Sequence, residues 1–153
     1  MNTNIIAKVF DNCLRTAGFK KHDGANWYRR TLDVISVVSL EKSRFAPEYY
    51  CHLGFSLSKL EHVEYPKAWD CHVDTRWEVL LEDRDVPRLV VLMDLNTEME
   101  PAAREHDLRE LIESSLIPAL RHGDNLEQLA TLLGTGRAGA DPIAREMLEK
   151  KSG

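Results

Sequence analysis

Between residues 49 and 58 the chain alternates. Tyr49, Cys51, Leu53, Phe55 and Leu57 are apolar, while Tyr50, His52, Gly54, Ser56 and Ser58 are mostly polar. Residues 72–81 repeat the pattern, with Val73, Trp77, Val79 and Leu81 on one side and His72, Asp74, Arg76 and Glu78 on the other. Period-two alternation predicts half-buried strands, so two strands should share an open face carrying His, Asp, Arg and Glu. Residues 26–30 read as a short strand. Residues 34–40 are apolar on both sides, as in a central strand. A fifth strand is predicted at 88–95, with a helix as the alternative, because a short apolar run fits either.

The flanking segments have helical period. Ile5, Ile6, Val9, Phe10, Cys13, Leu14 and Ala17 form one stripe, with Thr3 or Asn4 to cap its start and Gly18 at its end. Thr97 and Glu100 have capping-box spacing ahead of Pro101. From there Leu108, Leu111, Ile112, Ser115, Leu116 and Ala119 define a long helix that Pro118 must kink or end near residues 114–117. Asp124 or Asn125 should cap a shorter helix through Leu133. A glycine-rich link over 134–139 follows, and Asp141-Pro142 opens a last helix to about Lys150. The order is helix, about five strands, then helices. It predicts an α+β fold with a mainly antiparallel sheet and helices packed on one face. Residues 1–135 form a single domain, and 136–153 a flexible link and C-terminal helix of that domain.

Composition narrows the class. The 153 residues are 43% hydrophobic and 29% charged, ordinary for a globular domain. No apolar run approaches the ~20 residues of a spanning helix, and the start lacks a signal-peptide pattern. Three unpaired cysteines, Cys13, Cys51 and Cys71, read as reduced thiols, and the expected location is cytoplasmic with no membrane association. The net charge is −5, which argues against phosphate-backbone binding as the main role. Residues 1–60 carry nine Lys/Arg against five Asp/Glu, whereas residues 61–113 carry six against fifteen. That acidic middle could steer a basic partner, or simply be solvated surface.

Several short motifs carry a resemblance. They are Gly18-Phe19-Lys20-Lys21 with Asn26-Trp27-Tyr28-Arg29-Arg30, the strand end Leu40-Glu41-Lys42-Ser43-Arg44, Leu53-Gly54, Cys71-His72-Val73-Asp74-Thr75-Arg76 and Leu116-Ile117-Pro118-Ala119-Leu120. Together, over most of residues 5–135, they resemble a bacterial domain-of-unknown-function family, number four thousand three hundred and four. Glu41 stands where that family more often has an amide. The resemblance implies an intracellular α+β domain, and small acidic domains of this kind are similar to immunity proteins that neutralise bacterial toxins.

Candidate chemistry is sparse. Cys51-His52 and Cys71-His72 suggest zinc, yet neighbours on a strand point to opposite faces and structural-zinc spacing is absent, so no metal is expected. No nucleophile elbow, Walker loop or dinucleotide fingerprint occurs in context. The Gly134-x-Gly-x-x-Gly run follows a helix, not a strand, so no cofactor is expected. Two surfaces remain. Glu61, Glu64, Tyr65, Trp69 and Asp70 combine aromatic anchors with an acidic rim, which suits a protein partner, such as a basic toxin domain. Arg30, His52, His72, Asp74 and Arg76 form the alternative, a ligand or proton-transfer face, with cross-strand charge pairing as its structural counterpart. The sequence favours binding over catalysis and makes nucleic acid an unfavoured partner.

Overall fold

A computed structural model describes residues 4–60 and 63–152. Helix α1 (Ile5–Thr16) starts where the Asn4 side chain accepts from the backbone N–H groups of Ile6 and Ala7, at 3.0 and 3.2 Å. It ends at Gly18, whose φ of +92° lets the Phe19 N–H reach back to the Leu14 carbonyl. Strands β1 (Lys20–Lys21), β2 (Asn26–Arg30), β3 (Val34–Lys42), β4 (Tyr49–Leu57), β5 (Val73–Arg76) and β6 (Gly139–Ala140) then build one sheet in sequence order. Every neighbouring pair is antiparallel. The α+β meander expected from the alternation is therefore present; four of the expected strands form, and two unpredicted edge strands of two residues each bring the described sheet to six.

Two predicted strands change character. The run 72–81 is extended only through β5; Trp77–Leu80 is a helical turn, α2. Trp77 is fully buried, edge-on to Phe10, and its indole N–H donates to Ser115 at 2.9 Å. The segment read as a fifth strand is helix α3 (Val86–Leu92). It buries Leu89, Leu92 and Met93, at helical spacing, and leaves Val90 and Val91 exposed.

Helix α4 (Pro101–Leu111) begins at Pro101, but the Thr97–Glu100 capping box does not form. The Glu100 side chain caps nothing, and Thr97 donates to Asp94. A π-helical turn, Ile112–Leu116, precedes α5 (Ile117–Leu120), where Pro118 sits. Proline lacks the N–H that a regular helix would send to residue 114, and the widened turn absorbs that loss. Asn125, not Asp124, caps α6 (Leu126–Gly134). After β6, Asp141 caps α7 (Pro142–Ser152), which buries Ala144 and Leu148.

Nearly all the core lies on one face of the sheet. Trp27, Val38, Leu53, Phe55 and Val73 meet α1, α4, the π turn, α6 and α7 there. Arg104 is buried in the same layer and donates to the carbonyls of Val91, Leu92 and Thr97 at 3.0, 2.7 and 2.6 Å, closing the exposed end of α3.

Candidate functional site

The opposite face carries the predicted polar stripe. Register places Arg30 beside Ile35, Ser39 beside His52, His52 beside Arg76 and Gly54 beside Asp74. The expectation that this face is open is overturned at its centre. After β4 the chain folds back across the sheet, and residues 63–72 form a strap containing a 3-10 turn, Ala68–Asp70. Under it lies a second small core of Tyr28, Ile35, Val37 and Ala68, with Cys71 packed against it. Polar groups are also enclosed. Ser39 accepts from the Ala68 N–H and donates to Asn26, at 3.2 and 2.6 Å. Central strand β3 is apolar on both faces because both are covered, which is the signal that could have revealed the strap.

The strap brings the two predicted groups of residues together. Glu61 lies outside the described residues. Tyr65 stacks on His22 with ring centres 3.5 Å apart, meets Tyr28 edge-on at 5.2 Å and lies 5.1 Å from the Arg30 guanidinium. Arg30 also donates to the Glu64 carbonyl, so it anchors the strap instead of joining Asp74 or Glu78 in a cross-strand pair. Trp69, Asp70 and the Glu64 side chain face outward. Trp69 is 45% exposed and rests edge-on against His52 at 5.4 Å. His52 in turn lies 3.3 Å from Glu41.

His72 and Asp74 do not form a proton-transfer pair. The Nδ1 of His72 accepts the Leu57 backbone N–H at 2.9 Å, which puts the proton of the neutral ring on Nε2 and gives the side chain a structural task. Asp74 is half-buried. Burial raises its carboxyl above the ordinary carboxylate value, and the nearby His52 offsets part of that rise. The thiols are quiet as well. Burial pushes Cys71 up to about 12, with Asp74 and Asp70 adding to the rise, and burial also raises Cys51 and Cys13. Among the described residues no three His, Cys, Asp or Glu side chains are placed to hold a metal ion. No described helix is long and apolar enough to cross a membrane.

His52, Trp69, Asp74 and Arg76 line a shallow cleft of about 620 Å³, together with Arg137. The sequence did not single out Arg137, since it falls in the glycine-rich link. Pairing of Gly139 with Asp74 and a 2.6 Å bond from the Thr75 hydroxyl to the Arg137 carbonyl bring it there. A larger groove, about 1120 Å³, runs between the start of α1, Lys42 and the Glu98–Pro101 turn. Arg104 at its base is occupied by the three carbonyls, so it offers no free cation.

The family model described as a domain of unknown function, DUF4304, matches residues 10–122. That span holds the C-terminal part of α1, the first five strands and the strap, and stops before Arg137. No curated protein and no solved structure matches the chain.

Proposed function

The chain belongs to the DUF4304 family, and for this member we propose a non-enzymatic role: a protein-binding module of the immunity type that sequesters a partner, such as a basic toxin or effector domain, through the strap. The observation that carries this reading is the setting of Trp69. Its ring is half exposed on a segment whose preceding residue, Ala68, is completely buried. The anchor is thus presented on a backbone fixed by the second core, and little ordering entropy is lost when a partner packs on it. Glu64 and Asp70, exposed on the same strap, add negative charge suited to a basic surface. Two features weigh against catalysis on this face: His72 is committed to the backbone, and the thiols are held protonated.

The test is capture of a partner by the wild-type chain, followed by titration of the purified pair. Trp69→Ala should weaken binding by at least about thirtyfold, the scale of an interface hot spot. Glu64→Lys with Asp70→Lys should slow association and remove its salt dependence. Unchanged affinity in both variants rejects the strap as the binding surface.

A further inference from the structure

The cleft beside the strap has chemistry that partner capture does not use. Its walls come from β5 and from the turn that delivers β6, locked together by the Thr75 hydroxyl donating to the Arg137 carbonyl and by the backbone pairing of Asp74 with Gly139. Four groups point to a ligand. Neither Arg76 nor Arg137 has a side-chain ion pair among the described residues, and both are exposed. Asp74 is partly withdrawn from water, and no N–H or O–H donor among the described residues bonds its carboxylate. Trp69 supplies an aromatic surface to the same cleft, braced by His52.

These groups are complementary to three parts of one molecule. Two guanidiniums lining one cleft suit a phosphate, which guanidiniums bind through forked hydrogen bonds. A half-exposed indole suits a planar ring. A carboxylate lacking donors suits an edge that presents N–H groups. At about 620 Å³ the cleft is within the ~300–1,000 Å³ range of small-molecule sites. We propose that it binds a nucleoside 5′-phosphate of guanine type, with the base on Trp69, the N1–H and N2–H edge on Asp74, and the phosphate between Arg76 and Arg137. A zwitterionic amino acid would satisfy Asp74 and the arginines but leave Trp69 unused. Adenine offers a single amino group to the carboxylate where guanine offers two donors side by side. The same chemistry could come from a free nucleotide or from the 5′ end of an RNA.

This site shares Trp69 with the partner reading, but Arg76, Asp74 and Arg137 lie off the strap and belong to the cleft alone. Intrinsic fluorescence reports it directly: of the three tryptophans, Trp27 and Trp77 are fully buried and Trp69 alone is exposed. Titration of the full chain with GMP should quench that emission saturably. AMP, guanosine and inorganic phosphate should each bind at least about tenfold more weakly, because each lacks at least one of the matched groups. The double variant Arg76→Ala, Arg137→Ala, both at exposed side chains, should keep the wild-type melting temperature and lose GMP affinity by about tenfold or more. Asp74→Asn should erase the preference for GMP over AMP. A 5′-phosphorylated oligoribonucleotide beginning with G separates the two sources. Tighter binding than GMP assigns the site to an RNA end, and weaker binding to the free nucleotide. Absence of saturable quenching by both GMP and the oligonucleotide, or quenching that the double arginine variant leaves intact, overturns the proposal. Either result leaves partner capture, tested through Glu64 and Asp70, standing or falling separately.

Discussion

Ala68 of the strap lies directly on Gly54 of β4. A Cβ at residue 54 would stand only 2.7 Å from the Ala68 Cα and 2.7 Å from the Cys71 sulfur. The closeness is possible because glycine has no side chain there, and it seats the strap against the sheet. Gly54→Ala should therefore lift residues 68–71, cost about 1–3 kcal/mol of stability as overpacking does, and increase the access of iodide to Trp69. Gly134→Ala is the control, since a Cβ there meets nothing within 4 Å. Chemical denaturation and fluorescence quenching of the two variants check both statements.

His72→Ala should destabilise without altering the binding surfaces. The substitution strips the Leu57 N–H of its acceptor at the end of β4. Such a loss costs about 1–3 kcal/mol for a partly buried donor. Partner affinity and GMP quenching should stay at wild-type values once the folded fraction is taken into account. A loss of binding larger than the loss of folded protein would return His72 to the site.

Acid stability should depend on Asp11. Burial tends to raise its carboxyl, but the Trp27 indole N–H, Arg15 and Lys21 together outweigh that and hold it below its ordinary value of 3.8. The indole and the Arg15 Nε each lie 2.9 Å from its oxygens. A carboxyl lowered on folding stabilises the native state fully above its unfolded pKa, and the contribution fades as pH falls through the folded value. Asp11→Asn should lower the melting temperature at neutral pH and flatten its decline below about pH 4. Parallel melting curves against pH for the two proteins test this.

Arg104→Lys should be costly despite the retained charge. One ammonium cannot reach the carbonyls of Val91, Leu92 and Thr97 as a planar guanidinium does. A loss of at least about 2 kcal/mol is expected, from hydrogen bonds to a charged donor worth roughly 1.5–3 each. Urea unfolding measures it.

Long elements with one dominant period were legible in the sequence. Helix α1 and strand β4 stand where the spacing put them, and Asp141-Pro142 opens α7 as expected. Errors arose where one pattern serves two geometries. Val73 and Trp77 are two steps apart on a strand face but also one turn apart on a helix, and the backbone stays extended through Arg76 and turns helical at Trp77. Leu89, Leu92 and Met93 fit a helix, yet the seven apolar-rich residues of α3 are too few for period alone to decide. The described candidate residues are all at least partly exposed, and the strap decides which of them come together. Trp69 and Arg76 meet only because the strap folds back, and Arg137 joins them through a two-residue strand near the far end of the chain. Contacts of that separation leave no local trace.

The outermost strands have a consequence for how the molecule behaves at high concentration. A sheet border normally offers a row of unpaired N–H and C=O groups onto which another chain can add. Here the nine-residue strands β3 and β4 lie inside the sheet, each covered by its outer neighbour along its middle, and the borders shrink to Lys20–Lys21 and Gly139–Ala140. One border carries two positive charges; the other is too short to template an added strand and is followed at once by a helix. The middle of the most β-prone stretch of the chain is thereby shielded from fibril-like growth, which favours side-chain surfaces such as the strap as the means of association.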